Sequence, residues 1–155
     1  MLRIRRAQTA ADFEQAAQLF HDYVERLEFD LDFQDIEDEL ETLPGPYAAP
    51  EGAILLADVD DEPVGVVAVQ PLDEDGVCEM KRLYVKPEHR GQGIGRALCT
   101  RLLTVAQALN YHTMRLDTVA SMGAARALYE SLGFEERSAY YDNPLDDVVY
   151  MERAL

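Results

Sequence analysis

The segment Val77–Leu98 constrains the fold more than any other part of the chain. Its first nine residues, VCEMKRLYV, have the composition of a buried strand, and Pro87 then starts a loop that leads into an amphipathic helix. Three glycines lie where this helix begins: Gly91, Gly93 and Gly95. A helix start carries unpaired backbone N–H groups and a positive dipole end, and the glycines leave those groups uncovered. Because Arg90 and Arg96 add positive charge, the segment predicts a phosphate or pyrophosphate site.

Two familiar phosphate-binding motifs do not fit this turn. A dinucleotide-binding G-x-G-x-x-G that starts at Gly91 would need a glycine where Arg96 stands. A nucleotide P-loop would need a Lys-Ser/Thr pair, and the turn has none. What remains is Arg90-x-x-Gly93-x-Gly95 directly after a strand. This pattern resembles the acyl-CoA signature R/Q-x-x-G-x-G/A of the GNAT superfamily of N-acetyltransferases.

The hydrophobic pattern predicts a single α+β domain over residues 1–155. Alternating or short apolar runs predict strands at residues 2–7, 53–59, 63–69, 77–86, 113–118, 135–141 and 147–153. A capping box at Thr9–Asp12 starts the first helix, and helical spacing predicts further helices near 33–43, 94–109 and 123–132. The order β-α-α-β-β-β-α-β-α-β-β predicts a central mixed, mostly antiparallel sheet of six to seven strands with helices on both faces. This order is similar to the GNAT fold over essentially the whole chain.

Charge is distributed unevenly along the chain, whose net charge is −16. Residues 12–75 hold 20 acids and one base, whereas residues 81–101 hold six bases and one acid. An acidic body with one basic island fits a single anionic ligand and argues against nucleic acid or an anionic membrane surface as a partner. Cys78 and Cys99 have no metal or disulfide spacing, and the N-terminus has no apolar signal segment, so we expect a cytoplasmic protein without a metal site.

A second resemblance lies at residues 125–134, ARALYESLGF. GNAT enzymes commonly carry N-x-x-A-x-x-L-Y-x-x-x-G-F here, and this chain matches that pattern from Ala125 to Phe134. The resemblance implies that Tyr129 is a general acid for the departing thiolate. It also makes Met122 a cofactor-binding position, where GNAT enzymes carry an asparagine that often contacts the pantetheine arm.

The resemblance further implies how acetyl-CoA would be held. The turn at Gly91, Gln92, Gly93 and Gly95, with Arg90 and Arg96, binds the pyrophosphate. Main-chain groups of Leu83 and Val85 pair with the pantetheine arm as another strand would, and an N–H group near Leu83 polarises the thioester carbonyl. A bulge parts this strand from the 113–118 strand and opens a V-shaped slot.

The chemistry of amide formation requires a base. An alkyl amine with a pKa near 10.4 is only about 0.04% neutral at pH 7, and the neutral form is the nucleophile. Many GNAT enzymes hold an acidic base on the strand before the glycine turn, which implies Glu79; Asp117 or an acid of the second helix are alternatives. Period-two alternation predicts that Glu79, Lys81, Leu83 and Val85 share one face of the strand.

The acidic first half of the chain predicts a cationic primary amine as acceptor, such as a polyamine, an amino sugar or an amino acid derivative. Candidates to attract it are Asp30, Asp32, Asp35, Glu37, Asp38 and Glu39. Two alternatives remain open: a protein N-terminal or lysine acetyltransferase, and a non-catalytic acyl-CoA-binding regulatory module. The final strands offer a surface for a homodimer, which the sequence does not establish.

Overall fold

The computed structural model describes residues 1–25, 39, 41–119, 123–141 and 148–155. The strands in these ranges are β1 Leu2–Arg6, β2 Ala53–Val59, β3 Glu62–Pro71, β4 Val77–Val85, β5 Thr113–Val119, β6 Glu135–Arg137 and β7 Val148–Ala154. The helices are α1 Ala10–Glu25, α2 Ile94–Ala108 and α3 Gly123–Ser131, with short 3₁₀ turns at Gly45–Tyr47 and Pro87–His89. The helix predicted near residues 33–43 lies mostly outside the described residues. No helix within the described ranges has the length and apolar character that a membrane crossing requires.

The strands form one sheet in the order β1-β2-β3-β4-β5-β7-β6. Strands β4 and β5 are parallel, and every other neighbouring pair is antiparallel. The prediction of a mixed, mostly antiparallel sheet is confirmed. The single parallel pair arises because α2 carries the chain from the end of β4 back to the start of β5.

Local sequence signals explain where several elements begin and turn. Thr9 Oγ1 accepts the N–H of Asp12 at 3.1 Å, and Asp12 Oδ2 accepts the N–H of Thr9 at 3.1 Å, which is the predicted capping box of α1. Strands β2 and β3 are joined by Asp60 and Asp61, whose φ angles of 51° and 67° are left-handed. Aspartate tolerates this conformation better than most residues, and it matches the twist of a two-residue hairpin.

Helices cover both faces of the sheet, as predicted. On one face α2 and α3 bury a large apolar cluster that includes Leu98, Leu102 and Phe134. On the other face α1 and the 3₁₀ turn at Gly45–Tyr47 bury a smaller cluster around Phe20. The strand residues of that smaller cluster belong to the β1–β4 half of the sheet, and none of its described members comes from β5, β6 or β7.

A bulge in β4 changes the predicted alternation. Ala68 of β3 pairs with Lys81 and Val66 pairs with Tyr84, so that two residues of β4 oppose one residue of β3. Arg82 lies within the bulge and has a left-handed backbone with φ 62°. Its buried guanidinium is held by a two-bond ion pair with Glu39, at 3.0 Å and 3.2 Å.

The bulge shows that the predicted common face of Glu79, Lys81, Leu83 and Val85 is wrong. Before the bulge, Cys78 and Met80 point toward α2, so Glu79 and Lys81 point toward the α1 face. After it, Leu83 and Val85 pack against the α2 cluster. The extra residue shifts the period by one, which exchanges the faces of all later side chains.

Strands β4 and β5 separate soon after they meet. Their pairing covers Val77 with Thr113, Cys78 with Met114 and Glu79 with Arg115, and extends no further. Beyond Glu79, the bulged end of β4 is no longer paired with β5. This gives the V-shaped opening that the resemblance implies. We call this point the β4–β5 fork.

Candidate active site

The turn before α2 has a backbone that requires glycine at two positions. Gly91 and Gly93 have φ angles of 80° and 81°, in the left-handed region. A Cβ atom added to either glycine would meet no described atom within 4 Å. Gly95 is different: it is helical, and its Cβ would touch Leu128 Cδ2 at 3.7 Å. Gly91 and Gly93 therefore allow the left-handed backbone of the turn, whereas Gly95 avoids an additional side chain on the α2 surface beside Leu128.

Backbone donors at this turn point away from the rest of the chain. The N–H groups of residues 91–96 donate no hydrogen bond to the part of the chain that the structure describes. Ala97 is the first residue beyond them whose N–H is bonded, to Gly93 O at 3.0 Å. Among the described side chains, none caps α2 at Gly93. A row of unpaired donors at the positive end of a helix is an arrangement that stabilises an anion.

The two predicted arginines lie on opposite sides of this turn. Arg90 Nε donates to Val85 O at 2.9 Å, and its guanidinium lies 5.7 Å from the Tyr84 ring centroid. Arg96 donates to Ser131 Oγ at 2.9 Å, which links α2 to α3. Both side chains are exposed, so their charge faces solvent at the turn.

A groove of about 620 Å³ runs between the end of β4 and the start of α3. Seven residues predicted to bind the cofactor line it: Leu83, Val85, Arg90, Gly91, Gly93, Gly95 and Arg96. Gln92 is exposed and does not line the groove, and Met122 lies outside the described residues. The turn, both arginines and the apolar end of β4 are thus brought to one groove.

Other groove residues could not be identified from the sequence. Tyr23 of α1 lines the groove and packs against the Tyr84 ring, with centroids 6.0 Å apart. In the sequence Tyr23 is only one apolar position among several along α1. The first residues of α3, from Gly123 to Ala125, also line the groove because α3 packs beside the start of α2.

Glu79 lies at the β4–β5 fork as the last β4 residue that pairs with β5. Its side chain is buried, with the residue 3% exposed, and faces the α1 side of the sheet. Gln70 Nε2 donates to Oε1 at 2.7 Å and the Tyr140 hydroxyl donates to Oε2 at 2.5 Å. Lys81 Nζ lies 3.7 Å from Oε1. Glu79 therefore sits at the predicted position along the chain but does not line the groove.

The alternative bases Asp117 and Glu39 also have hydrogen-bond or ion-pair partners. Asp117 of β5 accepts a hydrogen bond from the Tyr141 hydroxyl. Glu39 has its charge compensated by Arg82, and the other five acids predicted to attract an acceptor lie outside the described residues. Consecutive tyrosines of the β6–β7 connection thus reach two carboxylates, Glu79 and Asp117.

Tyr129 lies on α3 with its ring against Phe134, at a centroid separation of 6.0 Å. The residue is 7% exposed, and it is not part of the groove lining. Burial raises the pKa of Tyr129 well above 10, with smaller effects from Cys99, Tyr23 and Asp117. Its hydroxyl therefore stays protonated at neutral pH and keeps a hydrogen that it can donate.

Both cysteines are free and buried in the α2 cluster. Burial raises the pKa of Cys78 and that of Cys99 to about 12 each. Neither thiol is a nucleophile at neutral pH, because the thiolate is the reactive form.

Comparisons with known proteins agree with this geometry. The model of the acetyltransferase (GNAT) family matches residues 13–134. The chain is 40% identical over 141 residues to an uncharacterised N-acetyltransferase of Schizosaccharomyces pombe, across 90% of this chain and 86% of that protein. It is 40% identical over 94 residues to N-acetylaspartate synthetase of Rattus norvegicus, across 60% of this chain but only 31% of that protein.

A solved structure gives the same result. A Klebsiella pneumoniae protein named as an acyl-CoA N-acyltransferase is 31% identical, with a TM-score of 0.77 over 100% of this chain and 98% of that one. The family model, the relatives and the solved structure all indicate the family whose signature the glycine turn resembles. The chain therefore belongs to the acetyltransferase (GNAT) family and is an N-acetyltransferase of that type.

Proposed function

We propose that this chain transfers an acetyl group from acetyl-CoA directly to a primary amine, within a ternary complex. The observation that carries the proposal is the row of unbonded N–H groups of residues 91–96 at one end of an apolar groove. A diphosphate suits this row because each phosphate oxygen accepts several charge-assisted hydrogen bonds. Arg90 and Arg96 supply the opposite charge.

The groove fits the remainder of coenzyme A by shape and polarity. No atom of the described residues lies within 4 Å of the Cβ positions of Gly91 and Gly93, which leaves space for phosphate oxygens. Beyond the turn, Leu83, Val85 and Leu128 give an apolar lining that suits a pantetheine arm. When bound, the thioester supplies an activated acetyl group. The N–H near Leu83, where β4 has left β5, is our candidate to polarise its carbonyl.

Glu79 is our candidate base, and its position supports that role. It marks the β4–β5 fork, where the acetyl group and the amine have to meet if the arm follows β4. It accepts the proton that the ammonium must lose before the nitrogen attacks. Asp117, two residues along β5 from the residue that pairs with Glu79, is the alternative base.

Tyr129 is our candidate donor to the departing thiolate. We expect a Tyr129→Phe enzyme to lose roughly tenfold in its single-turnover rate, because a thiol with a pKa near 8.5 leaves easily without help. Phenylalanine keeps the contact with Phe134, so the unfolding temperature should change little. Tyr111→Phe, which removes a hydroxyl bound to Glu51 O far from the groove lining, is the matched control. An unchanged single-turnover rate for Tyr129→Phe would exclude the role.

We propose a small cationic amine as acceptor, working in the cytoplasm. The net charge of −16 concentrates cations around the protein, and Glu79 and Asp117 place two carboxylates close to the β4–β5 fork. A second candidate is an acidic amino acid, because the rat relative is named for N-acetylaspartate. Lys81, Arg115 and Arg137 lie on the same face as Glu79 and would favour such an acceptor.

An amine panel tests these assignments. Purified protein with acetyl-CoA should release free thiol with polyamines or amino sugars, and more slowly with aspartate. A preference for aspartate would replace the cationic acceptor with the acidic one. Acetylation of peptides alone would favour a protein substrate. If coenzyme A binds but no amine causes thiol release from acetyl-CoA, the result would favour a non-catalytic regulatory module.

A further inference from the structure

The bonding of Glu79 creates a problem for proton transfer. Glu79 is 3% exposed, and each of its oxygens already accepts a hydrogen bond, from Gln70 at 2.7 Å and from Tyr140 at 2.5 Å. A base has to lie within hydrogen-bond reach of the proton that it takes, directly or through one bridging group. Because Glu79 is buried, the groups already bonded to it are candidates to carry the proton of an acceptor ammonium to it.

Of the three described neighbours, the tyrosine is the one that can both take up and give up a proton. The amide nitrogen of Gln70 donates but has no basic lone pair, and the ammonium group of Lys81, 3.7 Å away, has no acceptor site. The Tyr140 hydroxyl both donates and accepts. Tyr140 is half-buried, with its ring centroid 5.3 Å from that of Tyr150 on β7.

We propose that Tyr140 is a catalytic residue that relays the proton of the acceptor ammonium to Glu79. The Tyr140 oxygen takes a proton from the ammonium while its own hydroxyl hydrogen passes to Glu79 Oε2. The amine becomes neutral, Glu79 becomes a carboxylic acid and Tyr140 ends as it began. This relay rests on the proposed acetyl transfer to an amine.

The surroundings of Tyr140 suit this step. The guanidinium carbons of Arg115 and Arg137 lie 5.6 Å and 5.7 Å from its ring centroid, and cations there stabilise negative charge that develops on the phenol. Burial, with the Glu79 charge, raises the pKa of Tyr140, so the hydroxyl is protonated at rest and ready to donate. Described charged or titratable groups around the pair are Lys81 of β4, Arg115 and Asp117 of β5, Arg137 of β6, Tyr141 of the connection, and Tyr150 and Glu152 of β7.

Removal of one hydroxyl tests the relay. Tyr140→Phe keeps the ring, its contacts with Tyr141 and Tyr150, and both arginine contacts. We expect kcat/KM at pH 7 to fall about 100-fold. The deficit should shrink to less than about tenfold at pH 9.5, because a larger share of the amine is then neutral without help. Tyr111→Phe, which should match the wild type at both pH values, is the control for loss of a tyrosine hydroxyl.

A double-mutant cycle separates a relay from two independent roles. If Tyr140 acts only through Glu79, the enzyme with both Glu79→Gln and Tyr140→Phe should be no more than about threefold slower than Glu79→Gln alone. Losses that multiply would overturn the relay. So would an unchanged rate for Tyr140→Phe, or a loss of equal size at pH 7 and pH 9.5, which would indicate a structural role. A larger pH-dependent loss in Tyr141→Phe would assign the chemistry to Asp117 instead.

The wild type provides a test that needs no variant. Under conditions in which chemistry limits the rate, two protons moving together should give a curved dependence of rate on the deuterium fraction of the solvent. A linear dependence would mean a single proton in motion and would overturn the relay. A wild type that releases no thiol with any amine would overturn the proposed function and the relay with it. An active wild type with an unaffected Tyr140→Phe variant removes the relay alone.

Discussion

Replacement of Glu79 by glutamine is expected to lower kcat/KM at pH 7 by about 100-fold or more. General base catalysis contributes on the order of 10²–10⁴-fold, and the amide cannot accept the proton that the ammonium must lose. The loss should diminish as the pH approaches the pKa of the amine, near 10.4, because the nucleophile then forms without the base. Initial rates of thiol release from about pH 6.5 to about pH 9.5 measure both effects, because the neutral fraction of the amine rises steadily across this range.

Fold stability should not explain that loss. Glutamine has nearly the same shape and removes a buried charge; its amide oxygen can accept from Tyr140, and its NH2 group can donate to Gln70 once the Gln70 amide flips. The unfolding temperature should therefore stay within a few degrees. Glu62→Gln is the matched control: it makes the same chemical change at an exposed carboxylate beside Lys86, and we expect full activity. Full activity in Glu79→Gln together with a deep loss in Asp117→Asn would move the base to β5.

Gly93→Ala is expected to weaken coenzyme A binding by roughly 30-fold. Gly93 has φ 81°, a conformation that costs an alanine about 1–2 kcal/mol. Relaxation of this strain turns a backbone N–H away from the phosphate, and one hydrogen bond to a charged group is worth about 2 kcal/mol, which corresponds to that change in affinity. The new methyl group would also enter open space above the turn. Isothermal titration calorimetry with coenzyme A measures the result.

Gly45→Ala separates strain from binding. Gly45 also has a left-handed backbone, with φ 45°, and does not line the groove. Both variants should lose on the order of 1 kcal/mol of unfolding free energy in denaturant titration, whereas only Gly93→Ala should lose affinity for coenzyme A. Wild-type affinity in Gly93→Ala would contradict the assignment of the turn to the diphosphate.

The glycine turn could be predicted because its chemistry is local. A strand, a left-handed glycine pair and a helix start lie within about twenty consecutive residues, and backbone geometry alone aims the N–H groups outward. The order of strands and helices could be predicted for the same reason, since hydrophobic periodicity is a property of each short segment. Boundaries moved by a few residues: the strand predicted at 135–141 ends at Arg137, where the chain turns Tyr140 toward Glu79.

The candidate site was harder to predict because it depends on register. The bulge at Arg82 is visible only when β4 is aligned with β3, and it places Glu79 and Leu83 on opposite faces of the strand. Tyr23 has the spacing of an ordinary core residue on α1, and only the packing of α1 beside β4 brings it to the groove.

By itself, then, the sequence determined the elements, their order, the glycine turn before α2 and the family resemblance, since each depends on neighbouring residues and backbone preferences. Tertiary structure decided which acid stands at the β4–β5 fork, how deeply it is buried and which hydroxyl it contacts. Glu79 and Tyr140 are separated by 61 residues, and their 2.5 Å contact exists because the crossover through α2 and the pairing of β5 with β7 bring the β6–β7 connection beside the central strand β4. Long-range contacts of this kind have no local pattern, because their energy depends on the arrangement of the whole sheet.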